Sequence, residues 1–223
     1  MVGSGAAGYA AALDLYALGV RGIILVTEGR LCGTSRNTGS DKQTYYKLTL
    51  AGGVPDSVRD MARTLFEGGA RDGDTALTEA ALSARCFYRL CELGVPFPHN
   101  ELGEYVGYKT DHDPRSRASS AGPLTSRYMT EALEREFFRL GLRQLDGCFA
   151  AAILTDGERA RGVLALQNGN PLVIACGSIV WATGGPAGMY DASVYPESQH
   201  GATGAALEAG VRCANLTESQ FGI

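Results

Sequence analysis

The sequence predicts an α/β fold with a parallel central sheet, a helical middle segment and an antiparallel meander near the end of the chain. Three observations support this fold class. A glycine motif at residues 3–8 precedes a helix and an apolar strand, apolar residues recur at helical spacing between about 55 and 141, and strand-like runs separated by turn residues follow from residue 148. Because no linker-like stretch interrupts the chain, we expect one domain over residues 1–223.

The chain opens with the G-x-G-x-x-G motif "GSGAAG", and an Ala/Leu-rich helical segment follows it up to Gly19. In a Rossmann-like unit the first glycine permits a tight turn and the second lets a pyrophosphate approach the backbone. The third allows the helix to pack closely, and the N–H groups at the start of this helix bind the phosphates. The motif therefore predicts a bound dinucleotide, and the alternative is a flexible glycine-rich segment. The predicted contacts are Gly3, Ser4, Gly5, Ala6, Ala7 and Gly8.

An acidic residue, Glu28, ends the apolar run "GIILVTE" 20 residues after Gly8. A continuous run of this kind is typical of a strand that is covered on both faces. An ionised carboxylate only accepts hydrogen bonds, so Glu28 suits both hydroxyls of a ribose and disfavours a cofactor that carries a 2′-phosphate. Glycine turn, helix, strand and acid in this order predict a dinucleotide-binding unit whose first strand is reduced to Met1 and Val2.

Two further segments are rich in small residues and could lie against a flat ring system. The loop from residue 29 offers hydroxyls and backbone amides, and the apolar run "SIVWA" leads into "TGG" at a strand's carboxyl end, where ligands bind in open α/β sheets. Taken singly, an ordinary loop and an ordinary glycine turn explain these segments equally well. The candidate cofactor contacts here are Gly29, Arg30, Gly33, Thr34, Ser35, Thr38, Gly39, Ser40, Ala182, Thr183, Gly184 and Gly185.

Apolar periodicity predicts the remaining elements. Stripes at one-face spacing predict helices within residues 58–66, 77–91 and 129–140. The runs "CFAAAILT", "ARGVLALQ" and "PLVIACGSIVWA" are strand-like, and hairpin signals at Asp156-Gly157 and Asn168-Gly169-Asn170 separate them.

Composition excludes several classes of function. A net charge of -4 argues against a general affinity for nucleic acid or anionic membranes. Six cysteines without a C-x-x-C pair, accompanied by three histidines, support neither a zinc site nor a disulfide framework. The first apolar stretch has the features of neither a signal peptide nor a membrane span. We therefore expect a cytoplasmic protein with reduced thiols and no metal site.

The loop "YKTDHDPRSRASSAGPLTS" carries two candidate substrate-binding residues, Arg115 and Arg117. A planar guanidinium can bind a substrate's carboxylate through two parallel hydrogen bonds. The alternative is a solvated loop in which Asp111 and Asp113 pair with the arginines, since charged side chains are exposed by default. Both interpretations remain open from the sequence.

Together, the glycine motif, the acid after the next strand, the Gly/Ser/Thr loop, the meander and "ATGG" resemble the FAD-binding domain of the fumarate reductase and succinate dehydrogenase flavoprotein family. The later segments "HGATGAALEAG" and "NLTESQFGI" are similar to the place where that family leaves its FAD domain for a mobile capping domain. The resemblance implies an isoalloxazine ring over residues 33–40, with Thr183 and Gly184 on its other side. It also implies hydride transfer between the flavin and an activated carbon–carbon bond of a small-molecule substrate.

Departures from the family pattern refine these expectations. Family members with covalently attached flavin use a histidine in the loop after the ribose-binding acid. No histidine occurs in residues 31–43 of this chain, so we expect non-covalent FAD. Gly222 follows Gln220-Phe221 where the family's dicarboxylate enzymes have a histidine, and no acid occurs at residues 203–205. These two differences disfavour fumarate and succinate as substrates. We expect an incomplete FAD-binding domain without its capping domain, completed by further chain, a partner chain or an oligomer.

Two other functions remain open from the sequence. A non-catalytic nucleotide-binding or assembly fragment would be consistent with the shortened first strand. An NAD-binding dehydrogenase domain would share the glycine motif and Glu28, but it would not account for the meander that ends in "ATGG".

Overall fold

A computed structural model describes residues 1–41, 43–110, 113–185, 187–193 and 202–217. The interpretations given above for Asp111 and for residues 220–222 therefore lie outside the described residues. In chain order the elements are α1 (Ala6–Ala17), β1 (Ile24–Val26), α2 (Thr34–Asn37), β2 (Tyr45–Tyr46), α3 (Val58–Glu67), α4 (Gly73–Glu92), β3 (Ala118–Ser119), α5 (Thr125–Arg139), β4 (Arg143–Leu145), β5 (Cys148–Asp156), β6 (Arg159–Gln167), β7 (Asn170–Ala175), a 3-10 turn (Ala187–Met189) and α6 (Thr203–Glu208).

The chain divides into two compact units. Unit 1 comprises residues 1–38 and 133–213, and unit 2 comprises residues 39–132 and 214–223. The single domain expected over residues 1–223 stays a prediction.

Unit 1 contains the predicted parallel sheet. Val2 forms parallel bridges with Val26 on one side and with Trp181 on the other. β1 in turn pairs in parallel with β4, so four segments run side by side in the order 181, 2, β1 and β4. Although only two residues precede the glycine motif, Val2 therefore takes the position of the shortened first strand. β4 was not predicted from the sequence, because three residues are too few to show an apolar periodicity.

The meander is an antiparallel sheet with the order β5, β6 and β7. Both hairpin signals are confirmed, since Asp156 pairs with Arg159 and Gln167 pairs with Asn170. The run "PLVIACGSIVWA" divides in two, because β7 ends at Ala175 and the residues around Trp181 join the parallel sheet instead. Gly177 lies between the two parts, and glycine is depleted in strands.

The three predicted helices are α3, α4 and α5. Ser57 caps α3 by accepting a hydrogen bond from Asp60 N, and Asp72 caps α4 by accepting one from Thr75 N. The Asp72 cap begins α4 at Gly73, before the first residue of the apolar stripe. A core cluster in unit 2 comprises Met61, Ala62 and Ala80, with Tyr46, Leu48, Val58 and Leu65 packed against it.

Unit 1 has its own buried side chains on α1, β1 and the end of α5. Tyr9, Leu13 and Leu25 are almost fully buried, and the rings of Tyr9 and Phe137 meet edge to face with their centroids 5.3 Å apart. The glycine motif is thereby attached to a packed helix. None of the helices in the described ranges is both long and apolar enough to cross a membrane.

Candidate functional site

The glycine turn packs directly against the strand that carries "ATGG". Gly3 has a φ of 103°, in the left-handed region that favours glycine, and a methyl group there would overlap the carbonyl oxygen of Ala182. A methyl group on Gly8 would overlap the carbonyl oxygen of Gly3. The turn is held by hydrogen bonds from Gly3 N to Val26 O and from Ala182 N to Val2 O, both of 2.8 Å. The structure thus brings residues 3–8 together with the Thr183 corner, as the sequence predicted.

The N-terminus of α1 is open to an anion. Gly5 is the N-cap residue and has no side chain with which to cap the helix, and the first turn contains no acidic residue. The first N–H groups of any helix lack partners within the helix, and the helix dipole favours negative charge there. The nearest atom to a Cβ built on Gly5 is Ser35 Oγ, 3.3 Å away, which brings a residue of the predicted ring-binding loop beside this turn.

A pair of buried hydroxyls joins the glycine turn to the end of β1. Ser4 Oγ lies 2.8 Å from Thr27 Oγ1, and the carbonyl oxygen of Gly29 lies 3.3 Å and 3.2 Å from the two hydroxyls. Thr27 is therefore tied to the motif, and the exposed side chain of Glu28 follows it directly. Thr27 was not among the predicted site residues, because a threonine in an apolar strand gives no signal of its own.

Glu134, which was not among the predicted site residues either, accepts hydrogen bonds from two residues of the segment 29–38. Arg30 Nε donates to Glu134 Oε1 at 2.6 Å, and an Arg36 nitrogen donates to Oε2 at 2.8 Å. Tyr9 OH lies 3.3 Å from Oε1 and 2.9 Å from Gln144 Oε1. The available signal was an acid within the apolar stripe of α5.

The charge of Glu134 is stabilised by these partners. Burial alone would raise the pKa of Glu134, but hydrogen bonds from Arg30 and Arg36 outweigh burial and lower the pKa. The side chain of Arg30 is 53% exposed, and its guanidinium also lies 4.6 Å from the centroid of the Phe138 ring. Arg30 is thus engaged by the protein on two sides.

The other predicted loop residues are divided between the two units. Thr34 and Ser35 lie at the start of α2, and Thr38 Oγ1 donates to Thr34 O at 2.8 Å. In unit 2, Ser40 N donates to Pro123 O at 3.1 Å. Gly33 precedes α2 with a φ of 96°, Gly39 packs against Pro123, and Gly184 and Gly185 are exposed.

The two candidate substrate arginines have different surroundings. Arg117 is fully buried, and it donates to Asp56 through Nε at 2.8 Å and through a terminal nitrogen at 2.7 Å. Its other terminal nitrogen donates to Tyr46 OH and Thr64 Oγ1, at 3.1 Å and 3.0 Å. This geometry favours a structural role for Arg117. Arg115 is one-third exposed and lies 3.9 Å from Asp60.

These groups fit an adenine dinucleotide. An uncapped helix start beside bare glycine backbone suits a pyrophosphate, and an exposed carboxylate at the end of the adjacent strand suits a ribose. Within the part of the chain that the structure describes, no group of three or more His, Cys, Asp or Glu side chains could hold a metal ion.

Comparison with known proteins supports the same assignment. Residues 1–223 match the family model described as FAD binding domain. An L-aspartate oxidase from Agrobacterium fabrum is 26% identical over 207 residues, which are 90% of this chain and 38% of that protein. An L-aspartate oxidase from Streptomyces coelicolor is 28% identical over 231 residues, covering 99% of this chain and 39% of that protein. The chain thus spans less than half the length of these relatives.

Solved structures share the fold at low sequence identity. Sdh1 of Mycobacterium smegmatis has a TM-score of 0.76 at 18% identity, covering 93% of this chain and 37% of that one. E. coli quinol fumarate reductase FrdA has a TM-score of 0.72 at 20% identity, covering 85% and 32%. Adenylylsulfate reductase of Archaeoglobus fulgidus has a TM-score of 0.66 at 17% identity, covering 93% and 35%. The predicted resemblance in fold is confirmed.

Proposed function

Because the chain belongs to the FAD-binding domain family, we propose that it is the FAD-binding part of an oxidoreductase of the fumarate reductase and succinate dehydrogenase type. The observation that carries the proposal is the joining of three predicted segments in unit 1. Hydrogen bonds and close packing connect the glycine turn to Ala182 on one side and to Thr27 and the adjoining Glu28 on the other. This is the arrangement that an extended dinucleotide requires.

Each of these groups has a proposed role in holding the cofactor. The backbone N–H groups at the start of α1 bind the pyrophosphate, and Gly5 leaves room for it. Glu28 accepts hydrogen bonds from the ribose. The predicted roles of residues 29–40 and of residues 182–185 at the flavin ring remain part of the proposal, as does non-covalent attachment, which the lack of histidine in residues 31–43 supports.

Bound FAD would supply two-electron chemistry to the substrate, and the chain's own part is to bind and orient the cofactor. The matched proteins carry names with different substrates, among them L-aspartate oxidase, quinol fumarate reductase and adenylylsulfate reductase. We therefore propose a small-molecule substrate without naming it. Hydride exchange with an activated carbon–carbon bond remains our hypothesis, and Arg115 is the more accessible of the two candidate substrate-binding arginines.

We propose further that additional polypeptide completes the enzyme, either from the same gene or from a partner chain, and that it works in the cytoplasm. The short share of the relatives that the chain covers supports the first point. The net charge of -4 and the absence of a membrane-spanning helix among the described residues are consistent with the second.

The test is reconstitution of the purified chain with FAD, followed by gel filtration and a visible absorption spectrum. We expect a flavin spectrum that co-elutes with the protein, and flavin that is released on acid precipitation because it is not covalently attached. Titration calorimetry with NAD is the matched comparison, and tighter binding of NAD than of FAD would favour the dehydrogenase alternative. A folded protein that binds neither would overturn the proposal and favour the assembly fragment.

A further inference from the structure

Glu134 connects two points of the loop that follows Glu28. Its side chain is 8% exposed, and so is that of Arg36, which belongs to α2. Arg30 lies near the start of the same loop. One carboxylate of α5 therefore holds the loop at both Arg30 and Arg36, and all these residues belong to unit 1.

The energetics of buried ion pairs favour a role for Glu134 in positioning its partners rather than in stabilising the fold. Replacing a buried ion pair by apolar groups of similar volume is often neutral for stability, whereas removing one partner leaves an uncompensated charge. A buried carboxylate that accepts hydrogen bonds from two guanidinium groups fixes the positions of both donors, because their planar geometry is directional. The cluster therefore fixes where residues 30 and 36 lie relative to α5.

Ser35 makes that position relevant to the glycine turn. Its Oγ is the nearest atom to the Cβ position of Gly5, at 3.3 Å, and the next residue is Arg36, which Glu134 holds. A shift of α2 would therefore move Ser35 relative to the start of α1. Tyr9 of α1 also contacts Glu134, which joins the same carboxylate to the helix that follows the turn.

We propose that Glu134 is a positioning residue for the cofactor site. By holding Arg30 and Arg36, it keeps residues 29–38 in register with the glycine turn and with Glu28. The inference rests on the proposed function. It assigns a role at the cofactor site to a residue that lies 106 positions after Glu28 and outside the predicted cofactor-binding segments.

The experiment compares Glu134→Gln with Glu136→Gln in the same chain. Glu136 is a matched control, because it lies on the same helix and pairs with Arg139 at the surface. Two measurements are made well below the unfolding temperature: hydrogen exchange of residues 29–38 without ligand, and the FAD dissociation constant by flavin fluorescence. We expect Glu134→Gln to accelerate exchange in this loop but not in the meander. We also expect it to weaken FAD by roughly tenfold, by analogy with the smallest losses seen when a residue that orients a metal ligand is removed.

Each outcome has a defined meaning. Faster loop exchange with unchanged FAD affinity, or unchanged exchange in a folded Glu134→Gln variant, would overturn the positioning role while leaving the proposed function intact. Failure of the wild-type chain to bind FAD would overturn the proposed function and the positioning role together. If Glu134→Gln does not fold, Glu134→Asp keeps the charge but withdraws the carboxylate, and the same two measurements apply, with smaller changes expected in the same directions.

Discussion

The hydroxyl oxygens of Ser4 and Thr27 lie 2.8 Å apart, and both side chains are buried. Ser4 belongs to the glycine turn, and Thr27 directly precedes Glu28. The spacing between the proposed pyrophosphate site and the proposed ribose site is therefore set by a buried hydrogen bond. An exposed carboxylate can bind a ribose in a defined place only if the backbone beneath it is held in this way.

Replacing Thr27 by valine removes this hydrogen bond while nearly keeping the side chain's shape. We expect the free energy of unfolding to decrease by about 1–3 kcal/mol, because Gly29 N and Ser4 Oγ each lose Thr27 Oγ1 as a partner. Urea denaturation measures the change. Thr155→Val is the control, since Thr155 lies on an exposed position of β5 and should change little. Equal losses in both variants would contradict the structural role of the hydroxyl pair.

Gly5→Val should abolish FAD binding. The backbone of Gly5, with φ -77° and ψ -180°, suits any residue, so the substitution does not strain the backbone. The new side chain would instead crowd the proposed pyrophosphate site and Ser35 Oγ, which lies 3.3 Å from the Cβ position. Valine is a poorer N-cap than glycine and should cost about 1 kcal/mol of stability, so circular dichroism must follow folding separately. Among the residues that the structure describes, and apart from its chain neighbours, no atom lies within 4 Å of a Cβ built on Gly177, which makes Gly177→Val the control. Retained FAD affinity in folded Gly5→Val would count against the site.

Glu28→Ala should weaken FAD binding by about 1–3 kcal/mol through loss of the ribose hydrogen bonds. Calorimetric titration with FAD and with ADP measures the loss, and both ligands should weaken equally because they share the ribose. Glu158, an exposed residue in the turn between β5 and β6, provides the control variant Glu158→Ala. An unchanged dissociation constant in Glu28→Ala would place the ribose elsewhere.

Stability should fall in acid because of the buried pair of Asp56 and Arg117. Burial by itself would raise the pKa of Asp56, but hydrogen bonds from Arg117 and from two backbone N–H groups lower it below 3.8. The folded pKa thus lies below the unfolded value, so the stabilisation is present above pH 3.8 and is lost as pH falls through the folded pKa. The free energy of unfolding should therefore fall more steeply with decreasing pH in the wild type than in Asp56→Asn. The same pH dependence in both proteins would contradict this role of the Asp56–Arg117 pair.

Lys47 is a buried cation with weak partners. Its Nζ lies 3.4 Å from Leu48 O and 4.8 Å from the centroid of the Phe87 ring, and burial lowers its pKa. Lys47→Met keeps the packing of the stem and removes the buried charge, so we expect a gain of about 1 kcal/mol or more in unfolding free energy. The gain should shrink as pH rises toward 10.5, where the wild-type lysine becomes neutral in both states. The exposed Lys109→Met should show no such gain.

The sequence by itself determined the local elements of this protein. The glycine motif, α1, the acid at the end of β1 and the two hairpins follow from residues that are neighbours along the chain. The same holds for the helical stripes, since turn chemistry and periodicity act over a few residues. The family resemblance also depended on these local motifs, and this is why the fold and the cofactor could be predicted together.

Only the tertiary structure decided which distant residues meet. It buried Arg117 against Asp56, and it brought Glu134 to Arg30 and Arg36 across 104 and 98 residues of sequence. Burying a charged side chain is costly unless a partner compensates for its lost hydration, as Asp56 does for Arg117. Because that partner lies far away in the sequence, no local pattern predicts these contacts.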